Sequence, residues 1–208
     1  MSTRMTARTV VLDLGGVLID WDPRHLYRRL MPEDEVDDFL EEIGFREWNH
    51  AQDASSRPWA EAVEVLAARH PHRRELIAAY PSRFAETLVG PIEGTVEILR
   101  ELHAAGTPLL ALTNWSAETF GHARARFGFL ELFDGILVSG EEEVAKPDPR
   151  IFAVLVERFD LDPARTLFVD DVPANVEAAA AAGLQSVLFT SPGALRADLT
   201  ARGVLAAP

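Results

Sequence analysis

The sequence predicts a doubly wound α/β fold, a parallel sheet with helices on both faces. Three observations carry that prediction. Short, unbroken apolar runs recur along the chain, as strands covered on both faces require. Each run ends in polar or small residues. Helical patterns fill the intervals, and strands alternating with helices build a parallel sheet.

The first run is Val10-Val11-Leu12, closed by Asp13 and the turn residues Gly15-Gly16. The later runs are Leu109 to Leu112, ending in Thr113-Asn114, and Gly135 to Val138, ending in Ser139-Gly140. Thr166 to Val169 ends in Asp170-Asp171, and Ser186 to Phe189 in Thr190-Ser191. Between them, Glu93 to Ala105 repeats Val96, Leu99 and Leu102 at helical spacing and stops at Gly106. Ser116 predicts the N-cap of a helix reaching about Phe127. Pro149 and Pro173 sit where first-turn prolines belong, and Gly183 where a helix ends. From Pro23 to about Val89 the alternation breaks into helical patterns without a clear strand. The expected organisation is a core of residues 1–20 and 90–208 and a helical cap of residues 21–89 inserted after the first strand.

A length of 208 residues suits one core domain with a modest insertion. Apolar residues at 48% and charged residues at 25% match an ordinary soluble protein with a sizeable core. The absence of cysteine excludes a disulfide framework, thiol catalysis and a thiolate-bound zinc, and fits a reducing, cytoplasmic setting. A net charge of −13 makes nucleic acid and anionic membranes poor partners. An anionic substrate would need a metal or local cations. The apolar stretch from Val10 to Ile19 is interrupted by Asp13 and two glycines, unlike a signal peptide. No stretch approaches the roughly 20 apolar residues of a membrane span. The oligomeric state is not legible.

In an open parallel sheet, ligands bind beyond the carboxyl ends of the strands. Asp13, Thr113, Asn114, Ser139, Asp170 and Asp171 end the runs, and Lys146 follows the third. Three carboxylates, two hydroxyls, an amide and a lysine should therefore meet at one edge. Clustered carboxylates repel unless a cation lies among them. Oxygen-only ligands favour a hard ion such as Mg2+.

Four segments in order resemble the motifs of haloacid dehalogenase (HAD) superfamily hydrolases. They are Val10-Val11-Leu12-Asp13-Leu14-Gly15-Gly16-Val17-Leu18; Leu112-Thr113-Asn114; Lys146-Pro147-Asp148-Pro149; and Val169-Asp170-Asp171 with Asn175 and Ala178. The set spans nearly the whole chain, and the insertion falls where that family carries a small helical cap on its Rossmann-like core. The resemblance implies a magnesium-dependent hydrolase acting on a small phosphorylated substrate. Asp13 would attack phosphorus and form an aspartyl-phosphate. Asp13, the Gly15 carbonyl, Asp171 and Asp170 would hold the metal. Thr113 would hydrogen-bond a phosphate oxygen, Asn114 would bind substrate or order its loop, and Lys146 would offset charge on the transferring group.

The sequence departs from the family at Gly15, where its phosphatases usually carry a second Asp as acid and base. Losing such help typically costs about 10²–10⁴-fold. A substrate with a good leaving group, such as a sugar 1-phosphate, would tolerate the loss, or Asp20 or Asp22 would stand in. In the insertion, Trp48, Asn49, Gln52, Asp53 and Arg57 form a stripe that lines the lid or braces it against the core. Two other functions stay open: 2-haloacid dehalogenation, whose enzymes usually carry an aromatic residue at the position of Gly15, and a non-catalytic binding or regulatory domain.

Overall fold

A computed structural model describes residues 9–206. Residues 1–8 and 207–208, which hold the two N-terminal arginines and the outer ends of the expected core, lie outside the described residues. The strands are β1 (Thr9–Leu12), β2 (Ile19–Trp21), β3 (Leu88–Pro91), β4 (Leu109–Thr113), β5 (Gly135–Val138), β6 (Thr166–Asp170) and β7 (Gln185–Leu188). Five of them form a parallel sheet in the order β5-β4-β1-β6-β7. The order reverses around β1, so the loops after β1, β4 and β6 open onto one crevice.

Alternation within the strands explains why the apolar runs are unbroken. Val10, Leu12, Leu109, Ala111, Leu167 and Val169 pack into one core cluster, and Val11, Leu110, Leu112 and Phe168 into a second on the opposite face. Helices cover both faces: α6 (Glu93–Ala104), α7 (Ala117–Arg126), the short α8 (Ser139–Glu142), α9 (Pro149–Arg158), α10 (Pro173–Ala181) and α11 (Pro192–Ala201). Pro149, Pro173 and Pro192 each stand in a first turn, where a missing N–H costs nothing. Gly106 and Gly183 end their helices at positive φ, 73° and 91°.

Between β2 and β3 lie five helices numbered ahead of these: α1 (Pro23–Tyr27), α2 (Val36–Glu42), α3 (Phe45–Asp53), α4 (Trp59–Arg69) and α5 (Arg74–Ser82). Their centre is an aromatic cluster in which Tyr27, Phe39, Phe45, Trp48, Trp59 and Tyr80 meet largely edge to face. From Pro23 to Thr87 the regular elements are helices, as the sequence pattern predicts, and at the two ends of this span β2 and β3 pair antiparallel where the insertion leaves and rejoins the core. Arg126 of α7 ties this ribbon down by donating to the carbonyls of Leu88 (2.5 Å) and Val89 (2.7 Å).

The insertion also docks onto the core directly. Ser116 holds the N-cap position of α7, but its hydroxyl does not cap the helix; it accepts from Trp59 Nε1 at 3.0 Å. The Trp59 backbone N–H donates to Glu118, and Ser139 Oγ donates to the carbonyl of Asp53 at 2.5 Å. Among the described residues no helix is long and apolar enough to cross a membrane.

Candidate active site

Asp13, Gly15, Thr113, Asn114, Lys146 and Asp171 line one cavity of about 1020 Å³ between the carboxyl ends of the strands and helices α2, α3 and α5. A smaller cavity, about 410 Å³, lies at the opposite strand ends beside Thr9, Pro108 and Thr166 and contains none of these groups.

Lys146 organises the floor. Its side chain is fully buried, and its ammonium has three N–H groups with three acceptors. These are the Leu112 carbonyl at 2.8 Å, Asp170 Oδ2 at 2.7 Å and Asp13 Oδ2 at 3.0 Å. Asn114 fixes the backbone at Lys146 from both sides: its Nδ2 donates to the Lys146 carbonyl (2.8 Å), and its Oδ1 accepts the Lys146 N–H (2.9 Å). Both ends of the Asn114 amide are therefore spent on ordering this loop.

Asp13 follows β1 directly, and its N–H donates to the Val169 carbonyl of β6 at 2.9 Å. Its Oδ1 accepts the Leu14 N–H at 2.7 Å, leaving Oδ2 toward Lys146. Burial pushes the Asp13 carboxyl up to about 7; Lys146 pulls it down, and Asp170 and Asp171 push it further up. Two carboxylates beyond the charge of one lysine remain in a small volume.

The neighbouring acids differ. Asp170 is fully buried and saturated: Oδ1 accepts from the Val172 N–H (2.8 Å) and Asn175 Nδ2 (3.0 Å), and Oδ2 from Lys146 and Asn175. Asp171 is exposed and faces the cavity, its carboxyl raised first by partial burial and then by Asp170. Asp13, Asp170 and Asp171 each bring a carboxylate oxygen within 4.8 Å of the others, that of Asp170 already engaged by its donors. This all-oxygen set carries excess negative charge and suits a hard divalent cation.

Gly16 makes this approach feasible. It lies at φ 72°, and a Cβ there would overlap the Asp171 carboxylate. Gly16→Ala should lower activity at saturating substrate and weaken divalent-ion binding, read by isothermal titration, while the rest of the fold persists in its circular dichroism.

Thr113 ends β4, buried at the cavity wall. Asp20 and Asp22, the alternative acids after the first motif, do not line the cavity. Asp20 pairs with His25 at 3.1 Å, half exposed, and Asp22 caps α1 by accepting the Arg24 N–H. Of the predicted stripe, Asn49 and Asp53 of α3 line the cavity and Trp48 joins the aromatic cluster, whereas Arg57 lies past the end of the helix and is exposed.

The sequence profile of the haloacid dehalogenase-like hydrolases matches residues 7–183. The chain belongs to this family. Among its relatives, the sesquiterpene phosphatase astK of Aspergillus oryzae is 28% identical over 187 residues, 89% of this chain and 91% of that protein. Two further curated phosphatases match over only 54% and 52% of their own lengths. A HAD family enzyme of Bacteroides thetaiotaomicron, solved with magnesium and inorganic phosphate, superposes with a TM-score of 0.66 at 21% identity, covering 89% of this chain and 95% of that one. The L-2-haloacid dehalogenase of Xanthobacter autotrophicus superposes at 0.64 and 22% identity, covering 97% and 85%. Both structures share the fold of this hydrolase.

Proposed function

We propose that this hydrolase is a magnesium-dependent phosphatase that cleaves small organic phosphate monoesters through an aspartyl-phosphate on Asp13. The observation that carries the reading is the cavity floor, where the Asp13 carboxylate lies 3.0 Å from the buried Lys146 ammonium and within reach of Asp171. The similarity to a sesquiterpene phosphatase over nearly the full length of both chains supports it.

Asp13 and Asp171 would hold the ion, together with the Gly15 carbonyl. Asp170, already saturated, would position Lys146 from behind. Magnesium, when bound, supplies the positive charge that lets an anionic carboxylate meet an anionic phosphate. Thr113 donates its hydroxyl to a phosphate oxygen, and Lys146 balances the charge developing on the transferring group. Asn114 keeps Lys146 in place rather than touching substrate.

Trp21, Phe45, Tyr80, Phe84 and Trp115 wall much of the remaining cavity. Such a wall suits an organic group with an apolar face, either a sugar ring or a terpenoid chain. The test is a phosphate-release screen across prenyl monophosphates, sugar 1-phosphates and other metabolite monoesters, with magnesium and with chelator. Metal-dependent phosphate release is expected, with no chloride released from 2-chloropropionate. Metal-independent chloride release would convert the assignment to a dehalogenase, and silence on every ester would favour a binding domain.

A further inference from the structure

We propose that Asp53, brought in by the helical insertion, is the general acid and base of this hydrolase, replacing the side chain that Gly15 lacks. The proposal rests on the phosphatase reading above. A Cβ built on Gly15 meets no atom within 4 Å, so the space beside the nucleophile is open rather than packed. The proton donor has to reach that space from another element.

The carboxylates along the cavity narrow the choice. Asp13 and Asp171 belong to the floor. Asp37, Glu41 and Glu47 stand at the solvent-exposed rim, and Asp37 is ion-paired with Arg24 at 2.6 Å. Asp53 lines the cavity and is 7% exposed. Burying a carboxylate is costly unless it is paired, and among the described residues Asp53 makes no salt bridge. Its partners are uncharged: Asn49 Nδ2 donates to Oδ2 at 2.9 Å, and the Ser116 backbone N–H donates to the carboxyl. Burial pushes this carboxyl up to about 7, against the opposing pull of Ser116 and of the Lys146 charge. A group poised near neutrality can give a proton and take one back.

The surroundings hold the carboxyl in place. Tyr80 donates its hydroxyl to Asn49 Oδ1 at 2.8 Å, which turns the Asn49 amide N–H toward Asp53. Ser139 of the core holds the Asp53 carbonyl. In the first step the Asp13 oxygen forms a bond to phosphorus, the ester P–O bond breaks, and the Asp53 proton passes to the departing oxygen. In the second, water attacks phosphorus, its proton returns to Asp53, and the Asp13–phosphorus bond breaks.

A purely structural clasp between cap and core would show the same contacts, so the test must read chemistry. Turnover of the magnesium-loaded protein is measured on alkyl, phenyl and 2,4-dinitrophenyl phosphates. The parent should depend only weakly on the leaving group. Asp53→Asn should lose roughly 10²–10⁴-fold in kcat on the alkyl ester, and far less on the dinitrophenyl ester, which needs no proton. Gly15→Asp added to Asp53→Asn should restore part of the alkyl rate. Equal losses on all three esters would make Asp53 a clasp and overturn the proposal. A parent rate that falls steeply as the leaving group worsens would overturn it without any variant. A parent inactive on every ester would instead sink the phosphatase reading itself.

Discussion

Replacing Asp13 by Asn should cut phosphate release by more than about a thousandfold, because the covalent route loses its attacking group. The same change should not unfold the protein. The folded chain holds the Asp13 proton more tightly than the unfolded chain does, its carboxyl standing at about 7 against an ordinary 3.8. Ionising it in the metal-free protein therefore lowers stability as pH rises between those values. Asn is spared that cost. At pH 8 without metal, the variant should melt at or above the parent temperature, and magnesium should raise the parent's Tm more than the variant's. Calorimetry with and without the ion reads both effects. Full turnover by the variant would refute the assignment of the nucleophile.

Lys146→Met should cost both activity and stability. Methionine nearly matches the lysine stem and keeps the packing near Phe168, so the loss isolates the charge. Asp170 and Asp13 would then remain buried without their common cation. Breaking a buried ion pair from one side typically costs about 3–5 kcal/mol. The urea midpoint should fall accordingly. Adding Asp170→Asn should recover part of that stability, since it removes one uncompensated charge, and should recover no activity. A double variant no more stable than the single one would mean that Asp170 is already neutralised by Val172 and Asn175.

These two effects belong to residues that were readable in one dimension. A parallel strand buried on both faces is a continuous apolar run, so the five strands of the sheet are written locally, within a residue or so at their ends. Because ligands gather at the carboxyl ends of such strands, the residue following each run is a site candidate. Asp13, Thr113 and Asp171 each occupy such a position around the cavity. The β2–β3 ribbon has no local signature, because its strands are three and four residues long, include Gly90 and Pro91 and pair in an irregular register.

By itself, then, the sequence determined the sheet, the order of the motifs and the gap at Gly15, all properties of neighbouring residues. Only the tertiary structure decided what adjacent, chemically alike groups do. Asp170 and Asp171 are indistinguishable as letters, yet one is saturated by Lys146, Val172 and Asn175 while the other faces the cavity. Ser116 reads as a helix cap but gives its hydroxyl to Trp59. Asp53 shares its helical spacing with residues that merely pack, and the folding of the insertion over the sheet brings it to the cavity of Asp13. Side-chain direction and long-range burial arise from packing between distant segments, and no local pattern encodes them.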